Sequence, residues 1–208
     1  MFTRSKHTAP GAILLAATLS TAALGIALPM SDQTSTVSDP VGDAKHNAPA
    51  FQDIVRGQMT KTASGDFELL LEMAGPVPVA PPLPRPGVRE IWWVWGFDLD
   101  PTAFPQGYPN APGIAFYPDF IVYVSWDGTE FAGTAVDRRP LLTGGEAIIT
   151  PVQFSINGRI VEAVLPFEQI GDVPASFPWR PATVDWAGAL GSSGFIIPDG
   201  TDFTIFNP

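Results

Sequence analysis

Beyond residue 30 the chain alternates short apolar runs with clusters of Gly, Pro, Asp and Ser, and no stretch holds a helical period. Such runs, bounded by turn residues, predict β-strands over Asp53–Met59, Phe67–Met73, Glu90–Asp100, Asp119–Trp126, Glu130–Val136, Ala147–Ile156, Arg159–Leu165, Ala182–Gly188 and Phe203–Phe206. Asp127-Gly128 and Asn157-Gly158 carry the residue pairs that tight hairpins favour, because Gly and Asn tolerate positive φ. Pro166–Gly171 predicts a single helical turn. Glu90–Asp100 is apolar at both alternating sets of positions, so it is expected in the middle of a sheet with both faces covered. On this pattern the three tryptophans Trp92, Trp93 and Trp95 belong to the core. Residues 29–38 read as a polar leader.

Two long segments interrupt the strands. Residues 75–87 contain six prolines, which lack the N–H that a central strand needs, and read as a crossover between sheets. Pro101–Pro118 is a second loop rich in proline and glycine. Eight or nine short strands without sustained helix predict an all-β fold, an antiparallel β-sandwich of jelly-roll type, in one domain over residues 31–208.

Residues 1–30 follow a different pattern. Arg4, Lys6 and His7 precede an uncharged stretch from Gly11 to Leu28 rich in Ala and Leu, with small residues at Ala23, Gly25 and Ala27. This is the three-part layout of a secretory signal peptide, with an uncleaved anchoring helix as the alternative, and it predicts an extracellular or cell-envelope location. The chain has no cysteine, so an exported fold of this kind relies on burial of apolar surface and on bound ions instead of disulfides. That economy suggests a bacterial protein. All 21 acidic but only nine of the eleven basic residues lie beyond residue 30, a net charge of about −12. A surface so acidic opposes nucleic-acid binding and suits cations or neutral ligands.

Much catalytic chemistry is excluded by composition. His46 is the single histidine after the leader, so histidine-rich metal sites and cysteine nucleophiles cannot be built within the chain. Carboxylates remain. Glycoside hydrolysis would need a pair flanking a bond, and Glu68 with Glu72, or Glu90 with Asp98, are the candidates; residues facing water from a half-buried sheet explain the same pattern. Asp39-Pro40-Val41-Gly42-Asp43, followed by Asp53 at the opening of a strand, offers an oxygen-rich cradle for a hard cation such as calcium. Turn-capping by aspartate is the plainer account of the same residues. Exposed aromatic side chains could cover the apolar faces of sugar rings. Tyr108, Phe116 and Tyr117 in the long loop, and Trp126 at a hairpin end, are the ones expected at the surface, and Tyr108, Tyr117 and Trp126 are taken as the candidate ligand contacts.

The opening Asp-Pro-x-Gly-Asp followed by Asp53-Ile54 resembles the start of secreted modules related to family-9 carbohydrate-binding modules and the wider DOMON-like group. Phe97-Asp98-Leu99-Asp100, Asp119-Phe120-Ile121-Val122, the hairpin Phe154–Val161 and the turn Pro166–Gly171 resemble later motifs of these modules, in the same order. The likeness implies a β-sandwich, an extracellular location, frequent calcium held here by Asp39, Asp43 and Asp53, and sugar binding in some members. The chain departs from the pattern after Asp98-Leu99-Asp100, where a proline-rich insertion containing Gln106-Gly107-Tyr108 replaces the expected Thr-Gly. A non-catalytic carbohydrate-binding module with a structural calcium is the expected function. A structural or adhesive cell-surface protein, or a carboxylate-based hydrolase, are the alternatives.

Overall fold

The computed structural model describes residues 31–100, 118–188, 195–201 and 204–207. The predicted signal segment and the loop positions Tyr108, Phe116 and Tyr117 lie outside these residues. The chain forms two antiparallel sheets, as the strand pattern predicts. One sheet has five strands in the order β1 (Gln33–Ser38), β2 (Ile54–Lys61), β3 (Phe67–Met73), β9 (Ile160–Leu165) and β8 (Gln153–Asn157). The other runs β11 (Phe195–Gly200), β10 (Phe177–Trp186), β4 (Glu90–Phe97), β5 (Phe120–Trp126), β6 (Phe131–Asp137) and β7 (Ile148–Pro151), with β12 (Thr204–Phe206) also paired to β10. A single helical turn, α1 (Phe167–Ile170), sits where Pro166–Gly171 predicts it.

The core lies between the sheets. Alternation places Ile91, Trp93, Trp95 and Phe97 of β4 inward, against Phe67, Leu69 and Leu71 of β3 and Phe177 and Trp179 of β10. Trp93 and Trp179 keep their indole nitrogens satisfied, whereas Trp126 Nε1 is buried without a partner among the described residues. Trp93 Nε1 donates to the Phe51 carbonyl at 2.9 Å and Trp179 Nε1 to Ser35 Oγ at 2.9 Å. An indole with a partner brings its large apolar area into the core without a stranded donor.

Several expectations are corrected. The polar leader is in part strand β1, a sheet edge whose Thr34 Oγ1 meets Thr60 Oγ1 of β2 at 3.0 Å; an edge strand with one solvated face needs no apolar run. The predicted strand Ala147–Ile156 divides at Pro151 and Val152, where the chain leaves one sheet for the other. Strand β10 begins five residues before its predicted start and includes Pro178 and Pro181. Pro181 falls between the stretches paired to β12 and β11, where no partner on that side requires its missing N–H. Strand β4 is fully buried on one face and only half-buried on the other. Trp92 is outside the core, on the outer face, where its ring stacks on Tyr123 at 4.5 Å and on Trp186 at 5.7 Å.

Residues 74–89 carry the chain from β3 to β4, as the prolines predict. The segment is fastened by Val77 N–H to the Gly158 carbonyl at 2.8 Å and by Arg85 to Asp185, which is buried and also accepts from Gln52 Nε2 at 2.6 Å. No helix among the described residues is long and apolar enough to cross a membrane.

Candidate functional site

Strand β1 ends at Ser38, and the chain then turns. Asp39 N–H donates to the Val55 carbonyl at 2.9 Å, and Gly42 takes φ of 87°, a conformation open to glycine at little cost. Gly42 N–H donates to Asp53 Oδ2 at 2.8 Å, so Asp53 holds the turn that carries Asp43. Two further residues, His46 and Asn47, have left-handed backbones, with φ of 62° and 55°. Lys45 N–H donates to the Pro198 carbonyl at 2.7 Å, which lays this loop against β11.

That contact brings in a residue the sequence motif does not contain. Asp199 of β11 is buried, its Oδ2 accepting from Ile54 N–H at 2.6 Å and its Oδ1 from Gly200 N–H at 2.8 Å. Asp39, Asp43 and Asp199 each offer a carboxylate oxygen, all within 4.8 Å of one another. Of the predicted ligands, Asp39 and Asp43 converge. Asp53 stands beside them, committed through one oxygen to the turn. Asp199 completes the group from 156 residues further along the chain than Asp43.

The electrostatics of the cluster are unfavourable without a cation. Burial, then the Asp199 and Asp43 carboxylates, push the Asp39 carboxyl up to about 6, and Asp53 adds to this. Burial also raises Asp199, against the two backbone N–H groups that lower it, with Asp43 and Asp53 raising it further. Asp39 Oδ2 and Asp53 Oδ1 are buried and have no hydrogen-bond donor, and Asp53 as a whole is only 5% exposed. A buried carboxylate oxygen without a donor is costly unless a cation meets it. A set of hard carboxylate oxygens of this kind fits the chemistry of calcium better than that of softer metals.

The other predicted carboxylates do not form a catalytic pair. Glu72 is held by Arg159 at 2.8 Å and by Arg56 at 3.4 Å. Residues four apart along a strand are separated by about 13 Å and eight apart by about 26 Å, beyond the spacing that glycosidases use. Glu90 accepts from Trp92 Nε1 at 2.6 Å. Asp98 lies at the far end of the same strand, its carboxyl raised to about 6 by burial and by Asp119 and Asp100. Asp119 there caps the end of β4, accepting from Leu99 N–H at 2.9 Å and Asp100 N–H at 2.8 Å.

Trp126 is not a surface aromatic. It is 6% exposed and packs in the core at 4.7 Å from Phe131, because the hairpin end turns its ring inward. The aromatic side chains grouped on an outer face are instead Trp186, Trp92 and Tyr123, on neighbouring strands β10, β4 and β5. They stack on one another, so much of their ring faces is already used.

The solvent face of the five-stranded sheet is different in kind. Two adjoining depressions there, sharing Glu162 and Val164, make a shallow trough across β2, β3, β9 and β8, whose lining includes Gln58, Glu68, Leu70, Glu162, Val164 and Ser155. Registration places Gln58 opposite Leu70, Leu70 opposite Glu162, and Glu162 opposite Ser155. The chain matches no known family model, no curated protein and no solved structure.

Proposed function

We propose that this protein is a secreted, non-catalytic β-sandwich module that binds carbohydrate and is held together by a structural calcium ion. The observation that carries the calcium is the set of converging carboxylates Asp39, Asp43 and Asp199, with buried oxygens of Asp39 and Asp53 left without donors. The ion would be held by Asp39, Asp43 and Asp199, with Asp53 adjacent, and its charge would relieve the mutual repulsion of these groups. Six to eight oxygens are needed for calcium, so backbone carbonyls and water would supply the remainder. The carbohydrate part is supported by the order of motifs shared with the carbohydrate-binding and DOMON-like modules. The engagement of both Glu72 oxygens by arginines supports a non-catalytic reading, since neither is left to meet a substrate.

The test is thermal unfolding with calcium and with a chelator. Calcium is expected to raise the melting temperature by mass action on the native state. Asp199→Asn should remove that response while the far-ultraviolet spectrum stays that of a β-protein. A wild-type curve indifferent to both calcium and chelator would end the calcium assignment. Calorimetry against a panel of neutral polysaccharides tests the ligand class, and heat from none of them would favour a structural or adhesive role.

A further inference from the structure

The six residues named above, with Gln153, are the outward members of the trough's lining. Leu69 and Leu71, the inward neighbours of Leu70, are in the core. Leu70 and Val164 therefore give an aliphatic floor, with Val164 37% exposed, between polar groups on four consecutive strands.

The chemistry of the trough selects among ligands. Glu68 and Glu162 face it with no basic partner among the described residues. Glu162 accepts from Ser155 Oγ at 2.8 Å, and a carboxylate retains further acceptor capacity after one such bond. The arginines on this sheet are occupied: Arg56 and Arg159 both bind Glu72, at 3.4 Å and 2.8 Å. An anionic polymer would thus meet uncompensated negative charge. A neutral polyol offers hydroxyl donors to Glu68 and Glu162, and both donors and acceptors to Gln58 and Ser155. The aliphatic floor accepts C–H surface.

The extent of the trough is also informative. Strands lie about 4.8 Å apart, so four of them place polar groups along about 14 Å. That is a length for an oligosaccharide stretch, not for one ring. The outward row repeats once per strand, which suits a chain laid across the strands.

We infer that the outer face of the five-stranded sheet, centred on Glu162, Gln58 and Leu70, is where a neutral polysaccharide binds. This rests on the carbohydrate reading given above and names its surface. It differs from the loop aromatics expected from sequence, and it leaves the Trp186–Trp92–Tyr123 stack as a self-packed cover on the opposite side.

Affinity electrophoresis in calcium-containing gels tests it, with soluble mixed-linkage β-glucan, arabinoxylan and galactomannan as neutral probes. Polygalacturonate is the anionic probe and poly-lysine, in solution, the cationic one. The expected result is retardation of the wild type by at least one neutral polymer and not by polygalacturonate. The double variant Gln58→Ala/Glu162→Ala should weaken that retention at least tenfold with its calcium-dependent melting shift intact, and Tyr123→Ala should retain it. If the double variant binds like the wild type, the surface is wrong while the carbohydrate reading survives. If no neutral polymer retards the wild type, both fall. Binding to poly-lysine alone would overturn the neutral-ligand assignment and make this face a site for cationic polymers.

Discussion

Asp39 and Asp98 are half-buried acids at different ends of the sandwich, and both have carboxyl groups raised to about 6. For Asp39 and Asp98 the first cause is burial, and neighbouring aspartates add to it. An acid whose pKa rises on folding binds protons more readily in the native state than in the unfolded chain. The cation-free protein should therefore lose stability as pH rises from about 4 to about 6, and remain at the lower level above that. Calcium should oppose this loss at Asp39 and leave Asp98 untouched. Melting temperatures in chelator at pH 4.5 and pH 7 measure the effect. Asp39→Asn should reduce the difference between these two pH values and raise the melting temperature at pH 7 in chelator. A wild-type melting temperature that climbs steadily from pH 4.5 to 7 in chelator would contradict it. Residue identity alone shows that the chain has many acids. It does not show which acids have lost their water, since that follows from what packs over them.

Among the elements, the break between β7 and β8 illustrates how neighbours set strand limits. Val152 N–H donates to the Gly133 carbonyl of β6 at 3.1 Å just where the chain changes sheet. A Cβ built on Gly133 would stand 2.5 Å from the Val152 carbonyl oxygen and 2.9 Å from Phe154 Cδ1. Gly133→Ala should therefore force the crossing apart, at a cost of about 1–3 kcal/mol, as other overpacked positions do. The urea midpoint should fall accordingly, and an unchanged midpoint would show that the crossing does not need the glycine. The apolar run Ala147–Ile156 was enough to indicate extended backbone there. The division at Pro151 was not legible in it, because which sheet each half joins depends on β6 and β9. The hairpins around Asp127-Gly128 and Asn157-Gly158 are the opposite case. Their turns are local, with Gly128 at φ of 93° and Gly158 at 59°, and the residue pairs specify them directly.

Across the whole molecule, the acidic cluster joins the two ends of the described chain. Asp39 follows the first strand, and Asp199 lies in the last strand but one. The Lys45–Pro198 and Ile54–Asp199 contacts link the same two regions. In chelator the segments 33–53 and 195–200 should open together, as one cooperative unit, ahead of the core strands β3, β4 and β5. Hydrogen exchange followed by mass spectrometry should show calcium slowing exchange in both segments at once. Protection gained in one segment alone would mean that the cluster does not act as a clasp. Such a clasp suits a chain without cysteine, since a bound ion can tie distant segments as a disulfide would.

The alternation of apolar and polar positions was sufficient for the fold class, for most strands, for the helical turn and for the crossover at the proline-rich segment. These depend on period, on φ preferences and on a missing N–H, all of which are properties of neighbouring residues. The pair Asp39 and Asp43 was visible for the same reason, within a five-residue turn. Asp199 was not, because Pro198-Asp199-Gly200 reads locally as another turn, and its approach to Asp39 is fixed by the pairing of β11 with β10. Trp92 and Trp126 exchanged their expected roles, since inward and outward facing depends on the register of β4 and β5 within the sheet. The trough centred on Glu162 likewise required four strands from separate parts of the chain to be set side by side. Local sequence determined which segments extend and turn; only the tertiary structure decided which side chains lost water and which met.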